Sequence, residues 1–194
     1  MKRNALFTML SGGDLRSMGR SEEAAAEVLA NPPLFGDLIR GMQSSDPVLR
    51  MRAAGAAEQV TAHNPMLLER HKKKILSTIA TVTQKEVRRY VAQMIPRLSM
   101  TAVERKNAVG ILNKYLEDPS SVVRTSAMQA LAEIALGDKR LYASIRKTIE
   151  RVTESETPAM KARGKKLLER LALSPPSMTL RERRRNHLSR RKSS

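Results

Sequence analysis

The 194-residue chain contains no cysteine and no tryptophan. Without thiols, disulfide scaffolds, zinc fingers, iron–sulfur clusters and thiol nucleophiles are excluded. Aromatic residues make up only 3%: Phe7, Phe35, Tyr90, Tyr115 and Tyr142. A core must therefore come from Leu, Ile, Val, Ala and Met, which suits helices better than sheets. No run approaches the roughly eighteen apolar residues of a membrane span. The apolar stretch from Ala5 to Leu10 behind Lys2 and Arg3 imitates a signal peptide but is too short for one. A soluble, cytoplasmic protein is expected. Acids are scarce as well: 19 Asp+Glu face 36 Lys+Arg, a formal net charge of +17. The histidines His63, His71 and His187 are scattered, and none is followed by Glu. No metal site and no cofactor is expected.

What the chain does have is helical periodicity. Hydrophobic residues make up 41%, enough for a core, and the length suits one domain or a short repeat array. Strand-like alternation is nearly absent. Asn31-Pro32-Pro33, Asp46-Pro47, Asn64-Pro65, Asp118-Pro119 and Thr157-Pro158 punctuate the chain as helix starts and inter-helix turns. The decisive pattern is a repeat. Arg50, Arg88, Arg124 and Lys161 are each followed by apolar or small residues at +3, +6, +7 and +10, one stripe on one helix face. The bases are 38, 36 and 37 residues apart. A near-constant period with one stripe per unit indicates stacked helix pairs. The first helix of each pair is predicted from Leu34 to Met42, Met66 to Ile79, Ala102 to Leu116 and Leu141 to Val152.

Four segments follow. Residues 1–12 form an N-terminal segment. Residues 13–33 hold a helix from Leu15 to Leu29 that would cap the exposed end of the array. Residues 34–173 are the repeat domain. Residues 174–194 are a basic tail, with Arg183, Arg184, Arg185, Arg190, Arg191 and Lys192, too polar to fold alone and expected to be disordered.

Asp46-Pro47-Val48-Leu49-Arg50 before Ala53-Ala54, and Asp118-Pro119-Ser120-Ser121-Val122-Val123-Arg124 before Ala127, resemble the HEAT-repeat motif. In that family an Asp-Pro turn opens the second helix of a pair and a Val-Arg step follows. The second unit has Gln84-Lys85-Glu86 instead, and the fourth has Thr157-Pro158 and Lys161. The resemblance implies an all-α, right-handed α-solenoid of about four helix pairs, whose second helices line a concave binding surface.

The repeated bases suit a structural ladder, each pairing with the turn Asp of its own or a neighbouring repeat. The positions opposite the apolar stripe suit binding better: Arg52, Arg89, Tyr90, Gln93, Arg97, Gln129, Arg163, Lys166 and Arg170. Such a wall would attract phosphates or acidic protein surfaces. Arg70-His71-Lys72-Lys73-Lys74 is a denser basic run on a first helix. The tail suits non-specific nucleic-acid binding by counterion release.

Catalytic patterns are weak. Ser11-Gly12-Gly13-Asp14 reads as a helix N-cap turn rather than a phosphate cradle. Gly164-Lys165-Lys166 lacks the upstream glycine of a P-loop, and Gly164 reads as a close-packing residue. HEAT-like alkylpurine DNA glycosylases use Trp, and deoxyhypusine hydroxylase-like HEAT enzymes use His-Glu pairs; this chain has neither. The expected function is non-catalytic: a scaffold whose basic surface engages an acidic macromolecule, with a protein favoured over nucleic acid.

Overall fold

A computed structural model describes residues 3–155 and 157–174. Most of the described residues are helical, with no strand among them. The helices are α1 Arg3–Leu10, α2 Ser21–Ala30, α3 Phe35–Gly41, α4 Pro47–His63, α5 Lys72–Ile75, α6 Lys85–Met94, α7 Ala102–Tyr115, α8 Ser121–Gly137, α9 Lys139–Ser155 and α10 Pro158–Leu173. No described helix is long and apolar enough to cross a membrane. The chain divides into two compact units, Met1–Ala130 and Leu131–Ser194, with the boundary inside α8.

In the first unit α4 is the hub, packed by α1, α2, α3 and α6. Asp46 caps it, accepting from the Val48 N–H at 2.8 Å and the Leu49 N–H at 3.4 Å, and Pro47 occupies the first turn. From Met51 to Ala57 every residue is buried. A helix buried on all sides needs small side chains where neighbours approach, and Ala53, Ala54, Gly55, Ala56 and Ala57 supply them. Thr101 and Glu104 form a reciprocal capping box at the start of α7.

The repeated arginines serve this packing. Arg50, Arg88 and Arg124 each donate to the carbonyl six residues back: Ser44 at 2.7 Å, Val82 at 2.9 Å and Asp118 at 2.8 Å. Two also reach forward along the chain. Arg50 donates to Gln84 Oε1 at 2.6 Å, and Arg88 donates to Asp118 Oδ2 at 2.6 Å. Gln84 occupies the Asp position of its unit. It makes no side-chain cap, but its amide also donates to the Pro47 carbonyl at 3.0 Å.

The second unit is simpler. Helix α9 packs on α10, burying Ile145, Ile149 and Val152 from one and Met160, Leu167 and Leu171 from the other. The Tyr142 hydroxyl donates to the Leu171 carbonyl at 2.8 Å. Gly164 faces Thr153 so closely that a Cβ there would collide with the Thr153 hydroxyl, as its close-packing reading requires.

Two predicted helices differ. The segment from Met66 to Ile79 is a 3₁₀ turn over Pro65–His71, a single α-turn in α5, and a second 3₁₀ turn over Ile79–Thr81. Its bases recur at i,i+3 and i,i+4, where like charges oppose a regular α-helix. The helix predicted from Leu15 begins only at Ser21. Gly12, Gly13 and Gly19 adopt φ of 78°, 76° and 52°, a left-handed backbone that no helix contains and that glycine tolerates.

Candidate functional site

The predicted binding residues meet different fates. On α4, Arg52 was expected on an open face and is instead buried, with 4% of its surface exposed. Its Nε donates to the Ser17 carbonyl at 3.1 Å. Its Nη1 donates to the carbonyls of Gly12 at 2.6 Å, Leu10 at 3.2 Å and Ser11 at 3.4 Å. The segment 11–19 therefore wraps the guanidinium as a strap, with its carbonyl oxygens turned inward. Ser11-Gly12-Gly13-Asp14 is part of this strap, not the N-cap turn predicted for it. Gly19 lies so near that a Cβ would come within 2.6 Å of the Arg52 guanidinium carbon.

Tyr90 on α6 closes the same site. Its hydroxyl lies 3.6 Å from Met18 Sδ, and its ring edge would be 3.4 Å from a Cβ on Gly55. The Met18 methyl sits directly over Gly55. Arg89 is exposed, its guanidinium 5.1 Å from the centre of the Tyr90 ring. Gln93 is half-buried one turn on.

Arg97 lies beyond the end of α6, in the 3₁₀ turn over Ile95–Arg97. It pairs with the Glu58 carboxylate and donates to the Glu58 carbonyl at 2.9 Å and Thr61 Oγ1 at 3.0 Å. It is a tether between elements of the first unit. Gln129 is half-buried on α8. Arg163, Lys166 and Arg170 belong to the second unit and are all exposed on α10. Their spacing of three and four residues aligns them along one edge, about 4.5 and 6 Å apart along the axis. The tail bases Arg183, Arg184, Arg185, Arg190, Arg191 and Lys192 lie outside the described residues.

The basic run at α5 also splits. Lys72 turns inward, bonding the Ser99 carbonyl at 2.7 Å and Glu104 at 3.0 Å. Arg70, Lys73 and Lys74 are exposed. His71 tilts against Phe35, ring centres 5.6 Å apart. Burial, and then the charges of Lys74, Arg70 and Arg40, hold its imidazole below the ordinary histidine range.

Sequence reasoning missed one concavity. A half-open cleft of about 610 Å³ is lined by Arg88, Tyr115, Asn107, Lys114, Ile111 and neighbours. The Arg88 guanidinium lies 5.5 Å from the Tyr115 ring centre, and the Tyr115 hydroxyl donates to the Ala80 carbonyl at 2.8 Å. Burial pushes that phenol well above its usual range. Tyr115 was legible only as a core residue, because the cleft wall comes from a different helix pair. Among the described residues no group of three or more His, Asp or Glu could hold a metal ion.

In chemical terms, Arg89, Lys166 and Arg170 present positive charge to solvent, whereas Arg52, Arg97 and Lys72 are engaged within the chain. The chain is similar in fold to Cex1p, known from a crystal structure. The TM-score is 0.58 at 16% identity, over 89% of this chain and 35% of that one. The chain thus spans about a third of the length of that protein, and the likeness is one of all-helical fold. No family model matches the chain, and no curated protein is recognisably similar in sequence.

Proposed function

We propose that this chain is a HEAT-type α-solenoid of about four helix pairs that works as a non-catalytic scaffold, its basic surface engaging an acidic protein partner. The bond that Arg50, Arg88 and Arg124 each make to the carbonyl six residues back supports the repeat reading, because the same contact recurs in three of the four units. The observation that carries the binding reading is the basic edge of α10, where Arg163, Lys166 and Arg170 stand exposed in one line. Exposed cations without an enclosed site suit an extended acidic surface, and Arg70, Lys73 and Lys74 are a separate exposed group within the first unit.

A salt titration of the full chain against poly-glutamate and against generic duplex DNA tests this. Poly-glutamate is expected to bind, and Lys166→Glu with Arg170→Glu to weaken it at least tenfold. Strong DNA binding with a steep log-linear loss in salt, alongside no binding of poly-glutamate, would replace the protein reading with phosphate-backbone binding.

A further inference from the structure

Arg52 is a buried cation whose hydrogen bonds run to neutral carbonyl oxygens of Leu10, at the end of α1, and of Ser11, Gly12 and Ser17 in the strap. Charge-assisted bonds to a carboxylate are shorter and about twice as strong as bonds between neutral groups, and a guanidinium takes a carboxylate in bidentate fashion. The present occupant is therefore not the best ligand for the site it fills. The strap is held mainly through its backbone carbonyls rather than by buried side chains. Residues 11–17 are all exposed, including Leu15 at 45%, and the only strap side chain that turns substantially inward is Met18, over Gly55 and beside Tyr90. Gly12, Gly13 and Gly19 give the strap backbone freedom to swing between α1 and α2.

We infer that residues 11–19 are a displaceable plug over an acidic-peptide site formed by Arg52, Gly55, Arg89 and Tyr90. The occupant that displaces the plug is an extended segment of a partner protein. It presents a carboxylate to Arg52 and an apolar side chain to the slot now filled by Met18. Arg89, exposed over the Tyr90 ring, meets a second acid at the rim. This inference rests on the acidic-protein reading above and adds where such a partner docks and what keeps the site closed. Because the site is competent only when the strap is out, apparent affinity scales with the open fraction.

The test uses the full chain with ¹³C-methyl-labelled methionines and a fluorescent hexaglutamate peptide ending in leucine. Saturating peptide is expected to move the Met18 methyl resonance away from its position beside the Tyr90 ring. Met18→Ala loosens the plug while leaving its slot open, and is expected to tighten binding about tenfold. Arg89→Glu, an exposed change, is expected to weaken it about tenfold. Peptide that binds with the Met18 resonance of the wild type unmoved, and equally to all three proteins, overturns the plug and leaves the acidic-partner reading standing at another surface. No binding by wild type or by Met18→Ala overturns both. Binding by Met18→Ala alone supports the plug.

Discussion

The two units use their basic residues differently. In the first, several arginines are internal fasteners: Arg52 grips the strap, Arg50 and Arg88 reach Gln84 and Asp118, and Arg97 ties its turn to Glu58. In the second, apolar side chains and the Tyr142 bond join α9 to α10, and Lys166 and Arg170 of α10 are exposed. A large positive charge is therefore not one property of this chain. Part of it is consumed in joining irregular segments whose carbonyls need donors, and part stands at the surface, as at Lys166 and Arg170.

The sharpest test of that contrast is a matched pair of substitutions. Arg52→Met strands several strap carbonyls and should cost about 3 kcal/mol, whereas Arg170→Met should stay within about 0.5 kcal/mol. Urea denaturation of the two variants measures both, and equal losses would erase the distinction between the units. The second unit should instead be sensitive at its helix contact. Gly164→Val forces a side chain into Thr153 and should cost about 2 kcal/mol by the same measurement. A smaller loss is expected for Asp118→Asn, which weakens the Arg88 pair while leaving hydrogen bonding possible; about 1 kcal/mol follows for a partly exposed partner.

The smallest effect separates the units by pH. His71 has its folded pKa below the ordinary 6.5, so the unfolded chain takes up the proton first as pH falls. Stability is fully present above the unfolded value and declines as pH drops toward the folded one. His71→Gln should flatten that part of the pH–stability curve, and an unaltered slope would detach the effect from His71.

Several elements were legible from local pattern alone. The stripe behind each base is buried as its spacing requires: Ala53, Val91 and Ala127 are fully buried at +3, and Ala57, Ile95 and Leu131 at +7. Only Leu168 in the last unit is half-buried. Asp46-Pro47 opens α4 as its chemistry dictates, because a carboxylate cap and a fixed φ act over a few residues. The exposure of Arg89, Arg163, Lys166 and Arg170 also agrees with their positions opposite the stripe.

Arg52 marks where that logic stops. It sits among those exposed positions by periodicity, yet a segment some 40 residues earlier folds over it. Three glycines in left-handed conformations route that segment, and helical periodicity carries no information about where a loop goes. The sequence by itself determined the helical class, the period near 37 and the buried stripe, because these depend on residue spacing along one helix. Only the tertiary structure decided which bases are fasteners and which remain exposed, because a guanidinium's role depends on the carbonyls and carboxylates that distant segments bring to it.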